Sequence, residues 1–191
     1  MTQRDKALRF RALHQAAGAF VIANPWDAGS ARILAGLGFP ALATSSGAMA
    51  NTLGRRDGGV TREEALEHAR AIVDATDLPV SADLERGFGD APEDAAQTIR
   101  LAALAGLVGG SIEDATGNPA KPLYAMAHAT ERVAAAVEAA HALDFPFILT
   151  ARRRASCAAI PTWMTPSFAC KRSKRPGRMC CSPRGFRTSQ R

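Results

Sequence analysis

Five short apolar runs, separated by helical stretches, limit the folds open to this chain more than any other feature. The runs cover residues 20–24, 41–46, 78–83, 107–113 and 145–150. Each is continuously apolar rather than alternating, which is typical of strands buried on both faces of a parallel sheet. The sequence therefore predicts five strands at these places.

The segments between the runs carry helix signals. Thr61 and Glu64 form a capping-box pattern, Pro92 suits a first helical turn, and Asp27 suits the N-cap of a helix that begins at Ala28. Helices are predicted over residues 63–76, 91–105 and 124–143. Strand and helix thus alternate, which indicates an α/β fold.

The predicted architecture is an incomplete (β/α)8 TIM barrel with about five strands. A complete barrel takes about 250 residues, and this chain has 191. An open doubly wound sheet is the alternative, although the first strand is not followed by a G-x-G-x-x-G turn.

Charge divides the chain into two unlike parts. Residues 1–151 hold 13 Lys and Arg against 18 Asp and Glu, a net charge of −5. Residues 152–191 hold 11 Lys and Arg, no acidic residue and all four cysteines. We therefore predict a partial barrel domain over residues 1–152 and a basic, disordered tail over residues 153–191.

The genetic code offers an explanation for the tail. Trp163 and Met164 have single codons, and moving the frame back by one base turns this stretch into one that encodes acidic residues. The same shift turns the end of the tail into a strand-like apolar run. We interpret the tail as the product of a reading frame lost at or just after Arg152. The alternative is a genuine basic tail attracted to RNA or to a membrane surface.

Composition limits the cellular location and the binding partners that we expect for this protein. No run of about 18 apolar residues is present, so no membrane span is predicted. Residues 1–151 contain no cysteine and the first residues lack a signal-peptide pattern, which favours a cytoplasmic protein. Because the basic charge belongs to the tail, no nucleic-acid partner is expected for the folded part.

Polar residues follow every predicted strand. In a parallel barrel the carboxyl ends of all strands share one face, so Asp83, Glu85 and Glu113 are expected to converge there. Carboxylates without Cys or His suit a hard cation such as Mg²⁺ or Mn²⁺. Such an ion can hold a 2-oxo acid and stabilise the enolate that forms when a neighbouring bond breaks.

Two further groups of residues are candidates for binding substrate at this face. Ser46, with the backbone amides of Gly47 and Ala48, could hold a substrate oxygen. Arg152 could bind a carboxylate through two hydrogen bonds.

Taken together and in order, these motifs resemble the isocitrate lyase / phosphoenolpyruvate mutase superfamily, above all its 2-methylisocitrate lyase-like and carboxyphosphonoenolpyruvate phosphonomutase-like members. The resemblance covers about residues 8–152. It is carried by residues 24–30, 45–47, 56–58, 83–89, 111–114 and 150–152.

The resemblance implies a (β/α)8 barrel in a homo-oligomer, with Asp83 as the direct metal ligand. Asp57, Glu85 and Glu113 would join it directly or through water, and Ser46, Gly47 and Arg152 would bind the pyruvate-like part of the substrate. Lys121 falls in the family's mobile gating loop, and both Arg152 and Lys121 are candidate catalytic residues.

The implied activity is that of a Mg²⁺-dependent lyase or phosphonomutase, which makes or breaks a C–C or C–P bond of a small 2-oxo acid adduct or phosphonate-type substrate. Departures from the family pattern include the absence of a loop cysteine near Lys121, which counts against isocitrate cleavage, and an unexplained cation, Arg86, beside the carboxylates.

The missing last strands predict low stability and little activity. A non-enzymatic protein with a nucleic-acid-binding tail and an inactive pseudogene product are the alternatives.

Overall fold

Helices and strands alternate along the part of the chain that the structure describes. The computed structural model describes residues 1–154, so the reading-frame hypothesis and nearly all of the predicted tail lie outside it. In chain order the elements are α1 (Gln3–Gln15), β1 (Ile22–Ala23), α2 (Ala28–Gly36), β2 (Ala41–Ala43), α3 (Ser46–Thr52), α4 (Arg62–Asp74), β3 (Val80–Asp83), α5 (Pro92–Leu104), β4 (Gly109–Glu113), α6 (Met126–His141) and β5 (Ile148–Arg152).

The five strands form one parallel sheet whose spatial order, β1-β2-β3-β4-β5, follows the chain. A doubly wound sheet reverses its strand order partway across, whereas the wall of a barrel does not. The predicted α/β class and barrel arrangement are therefore confirmed for the described residues. All five carboxyl ends lie at one edge of the sheet, as the placement of the polar residues requires.

The strands are shorter than their apolar runs, and one is shifted. β5 covers Ile148–Arg152 rather than residues 145–150, because Phe145 and Phe147 pack into the hydrophobic core before the strand begins. The shift makes Arg152 the last residue of the strand, paired in register with Glu113 of β4. The predicted run over residues 41–46 likewise ends early, since α3 begins at Ser46.

Two apolar clusters position the sheet. The larger lies between the sheet and helices α2, α4, α5 and α6, and includes Leu42, Ile72 and Ile99. The smaller places Phe10 of α1 against Val108, at the amino ends of the strands. A Cβ atom at Gly109 would lie 2.8 Å from Phe10 Cε1 and 2.9 Å from the carbonyl oxygen of Ile148, so this close packing requires glycine.

Within residues 1–154, the helices are all too short or too polar to cross a lipid bilayer.

Candidate functional site

Asp83, the last residue of β3, stands at the centre of the polar cluster. Its amide donates to Thr44 Oγ1 at 3.1 Å, which ties the end of β3 to the end of β2. Its Oδ2 accepts a hydrogen bond from Ser46 Oγ at 3.0 Å, and its Oδ1 accepts one from the amide of Glu85 at 3.1 Å. Both carboxylate oxygens are thereby oriented by neighbouring residues.

The segment that follows β3 turns sharply enough to bury Glu85. Glu85 has φ 49° and Phe88 has φ 57°, left-handed values that non-glycine residues rarely adopt. Between them Gly87 takes φ 80°, and its amide donates to the carbonyl of Leu84 at 2.8 Å. The turn places the Glu85 side chain inside the protein, where only 9% of the residue's surface is exposed.

Buried donors on two helices hold this turn in place. Thr98 of α5, fully buried, donates from Oγ1 to the carbonyl of Gly87 at 2.8 Å. Arg132 of α6, also buried, donates to the carbonyls of Arg86 and Ala91. Strained backbone persists where surrounding contacts over-determine it, and these hydrogen bonds provide that restraint.

Two more carboxylates reach the same region. Glu113 ends β4, and its amide donates to the carbonyl of Glu85 at 2.8 Å, so the two residues are backbone neighbours. Asp57 comes from a turn after α3, and its carboxylate carbon would lie 3.6 Å from a Cβ atom at Gly47. The structure therefore brings Asp57, Asp83, Glu85 and Glu113 to one region.

Two guanidinium groups lie among these carboxylates. Arg152 Nη1 is 3.6 Å from Asp83 Oδ2 and 3.9 Å from Glu113 Oε2. Arg154 reaches Glu113 Oε1 at 3.3 Å and Asp57 Oδ2 at 3.7 Å. Arg154 was missed by the sequence analysis because we assigned it to the tail. The run of three arginines that begins at the last residue of β5 was the signal that could have revealed it.

The residues predicted to bind a substrate oxygen lie at the first turn of α3. Ser46 contacts Asp83 directly, and the amides of Ser46 and Gly47 belong to the first turn, where helical amides have no intrahelical acceptor. The amide of Ala48 donates to Ser45 Oγ at 3.4 Å, which caps the helix. Ala48 is thus less free to bind substrate than predicted.

Lys121 does not reach the carboxylates. It is exposed, in a loop where its amide donates to the carbonyl of Asn118 at 3.1 Å and its own carbonyl accepts from Thr116 Oγ1. Within residues 1–154 its ammonium group makes no hydrogen bond or ion pair. The structure therefore places Lys121 apart from the cluster.

Arg86, the unexplained cation, turns towards the neighbouring loop. Its Nε is 3.7 Å from Asp90 Oδ1, and its Nη1 would be 2.6 Å from a Cβ atom at Gly117. Arg86 thus packs against the segment that follows β4, next to the carboxylate cluster rather than within it.

Burial and neighbouring carboxylates change the acidity of Glu85 and Glu113. Burial, together with the nearby carboxylates of Asp57 and Asp83, raises the pKa of Glu85 to about 7. Burial also raises the pKa of Glu113, where the guanidinium of Arg154 acts in the opposite direction. The guanidinium of Arg86 lowers the pKa of Glu85, but not enough to offset burial and the neighbouring carboxylates.

Glu85→Gln should stabilise the protein more at pH 8 than at pH 5. A raised pKa means that the folded state holds the proton more tightly than the unfolded state does. Ionised Glu85 therefore costs stability as the pH rises above 4.5, and the cost is complete above pH 7. We expect a gain on the order of 2 kcal/mol at pH 8 and much less at pH 5, measured by urea unfolding in EDTA. Equal gains at both pH values would contradict this reading of the site.

The donor set fits a hard divalent cation, although it is not preassembled as a cage. All four acidic side chains offer oxygen, the ligand atom that Mg²⁺ and Mn²⁺ prefer. Oε1 of Glu85 is buried and has no hydrogen-bond partner among the described residues. Within the same residues, no three His, Cys, Asp or Glu side chains are spaced to hold one metal ion together. The predicted ligands thus share a region without standing at ligand distances.

Comparison with known proteins finds the same family by sequence and by structure. The sequence model of the family described as "Phosphoenolpyruvate phosphomutase" matches residues 10–161. The 2-methylisocitrate lyase of Escherichia coli (strain K12) is 30% identical over 160 residues, which cover 80% of this chain and 53% of that protein.

Solved structures agree in fold. A Burkholderia cenocepacia J2315 protein, provisionally described as a lyase/mutase, is 59% identical and superposes with a TM-score of 0.78 over 79% of this chain and 55% of its own. A phosphonopyruvate hydrolase, solved in complex with oxalate and Mg²⁺, is 25% identical with a TM-score of 0.70, over 80% of this chain and 53% of its own. The chain thus spans about half the length of the relatives that it matches.

Proposed function

Since this chain belongs to the phosphoenolpyruvate phosphomutase family, we propose that its carboxylate cluster binds a divalent cation together with a small 2-oxo acid. The reaction class is the making or breaking of a C–C or C–P bond next to the 2-oxo group. The observation that carries the proposal is the convergence of Asp83, Glu85 and Glu113 with Ser46 and Arg152 at the carboxyl ends of parallel strands.

Asp83, Glu85, Glu113 and Asp57 are the residues that would hold the cation, Mg²⁺ or Mn²⁺. Once bound, the cation would polarise the substrate's 2-oxo group and lower the energy of the negative charge that develops there. The unpartnered Oε1 of Glu85 and its pKa of about 7 support this assignment, since both show a carboxylate that lacks compensating positive charge.

Ser46 and Arg152 would orient the acid. The first amides of α3 offer donors for a substrate oxygen, and the Ser46 hydroxyl would join them by exchanging its hydrogen bond to Asp83 for one to the substrate. The Arg152 side chain is about half exposed and pairs only at 3.6 and 3.9 Å, so its guanidinium can exchange a protein carboxylate for a substrate carboxylate. Binding of the acid would thereby free Asp83 and Glu113 from Arg152.

Lys121 has a lesser place in this proposal. Its exposed ammonium group lies on the loop after β4 and would act at the site only if that loop moved. We therefore assign Lys121 to the rim, where its positive charge would favour the approach of an anionic substrate.

Calorimetric titration with Mg²⁺ and oxalate, a planar two-carboxylate anion, tests the proposal. If both occupy one site, each must raise the affinity of the other by the same factor. We expect oxalate to bind at least about tenfold more tightly in the presence of Mg²⁺, with equal enhancement in the reverse order. Oxalate binding that is indifferent to Mg²⁺ would contradict a shared site.

A further inference from the structure

A small cavity lies directly behind Asp83 and Glu85. It is about 10 Å³ in volume, counted over the positions that the centre of a water molecule can take. One water needs roughly 10–15 Å³ by that measure and two to four polar partners. The polar part of the wall comes from six residues: Thr44, Ser45, Ser46, His68, Asp83 and Glu85.

Two residues that line this cavity carry a buried polar atom without a hydrogen-bond partner among residues 1–154. They are His68, through Nδ1, and Glu85, through Oε1. The Nε2 atom of His68 lies 2.7 Å from the carbonyl oxygen of Trp26. Since a carbonyl can only accept, Nε2 carries the proton, and Nδ1 of the neutral ring is an acceptor.

When Glu85 is ionised, both atoms are acceptors and cannot satisfy each other, but one water molecule can satisfy both. Its two O–H groups match Nδ1 of His68 and Oε1 of Glu85. Two hydroxyl groups are available for its oxygen. Thr44 Oγ1 accepts from the amide of Asp83 at 3.1 Å and Ser45 Oγ accepts from that of Ala48, so each hydroxyl hydrogen is free to be donated into the cavity.

We propose that one water molecule occupies this cavity, and that His68 acts through it as a positioning residue for Glu85. The ring of His68 is held by its hydrogen bond to the carbonyl of Trp26. His68 belongs to α4, and the first turn of that helix is held by the capping box of Thr61 and Glu64. The water therefore links a rigid helix to the carboxylate on the strained turn. Leaving both acceptors unpaired would cost more than immobilising one water.

The water and the positioning role are separable. The water follows from the cavity and its unpaired atoms alone. The positioning role rests on the proposed function, because it matters only if Glu85 helps to bind a cation.

A crystal structure of the whole chain at a resolution that shows ordered water tests the first part. We expect a peak within hydrogen-bonding distance, about 2.6–3.2 Å, of both His68 Nδ1 and Glu85 Oε1. The peak should be absent in His68→Leu. An empty cavity, or one filled by a side chain, would overturn the proposal.

Mn²⁺ affinity, followed by electron paramagnetic resonance, tests the second part. His68→Leu should weaken Mn²⁺ binding about tenfold, as removal of an outer partner of a ligand does, and His68→Gln should restore most of the loss through its side-chain oxygen. His141→Leu, at an exposed histidine that ends α6, is the matched control and should leave the affinity unchanged.

Equal affinity in His68→Leu and the wild type would overturn the positioning role. A wild-type chain that binds no Mn²⁺ would contradict the proposed function and the positioning role together. The proposal of a bound water would then still be tested by the electron density in the cavity.

Discussion

Asp83→Ala should reduce the affinity for Mg²⁺ by about 100-fold or more and remove the mutual enhancement between Mg²⁺ and oxalate. Asp83 is the only carboxylate of the cluster that contacts both Ser46 and Arg152, the two residues assigned to the substrate. Its loss removes a proposed ligand and also the acceptor of the Ser46 hydroxyl. Changes to mere outer partners of metal ligands cost about 10–100-fold, so loss of a direct ligand should cost more.

The controls for Asp83→Ala separate binding from folding. The amide of residue 83 still donates to Thr44 in the variant, so the join between β2 and β3 is kept. Asp144→Ala removes an exposed carboxylate before β5, at the opposite end of the strands, and should bind as the wild type does. Asp83→Asn keeps the shape of the side chain without its charge, and should bind as poorly as Asp83→Ala. Wild-type affinity in Asp83→Ala, with unchanged unfolding by urea, would remove Asp83 from the site.

Continuous apolarity was enough to predict the parallel sheet, because strands covered on both faces have few positions for polar residues. Once the strands are parallel, the position of Asp83 and Glu113 at the same edge follows from geometry. Local capping was also predictable: the amide of Ser30 donates to Asp27 Oδ1 at 2.7 Å, as expected of an N-cap residue. The caps depend on contacts within a few residues along the chain, and the sheet depends on an apolar pattern that each strand carries in its own sequence.

Two helices with weak local signals, and one turn that is set by distant contacts, were harder to predict. α3 has only seven residues, too few to show a helical period, and it takes over the end of a run that looked like a strand. α1 went unpredicted although Thr2 and Asp5 form a capping box, because that signature usually ends in Glu or Gln. The left-handed turn at Glu85 is set by the fold around it, and no local pattern encodes it.

Arg132 shows how the surroundings of a residue can override what its type alone suggests. In an alanine-rich helix an arginine is expected to be solvated, yet Arg132 is only 1% exposed. Its guanidinium donates to the carbonyls of Arg86 and Ala91 and lies 4.6 Å from the centre of the Tyr124 ring. The side chain therefore connects α6 with the segment between β3 and α5, at the residue after Glu85 and at the residue before α5.

Arg132→Leu should destabilise the protein by about 2–4 kcal/mol. Replacing a whole buried ion pair by apolar residues can be harmless, but the partners here are backbone carbonyls that no substitution can remove. Leucine would leave the part-buried carbonyls of Arg86 and Ala91 without their donor, and would lose the contact of the cation with the Tyr124 ring. Urea unfolding measures the loss, which should appear as a lower midpoint at an unchanged slope.

Two variants show whether the effect comes from these hydrogen bonds. Arg11→Leu makes the same change at an exposed position of α1 and should alter stability by less than about 0.5 kcal/mol. Arg132→Lys keeps the charge but offers a single donor group in place of the planar fork, so it should fall between leucine and the wild type. If Arg132→Leu were as stable as Arg11→Leu, the turn around Glu85 would have to be held by Thr98 alone. The position of Glu85 Oε1 would then depend on α5 rather than on α6.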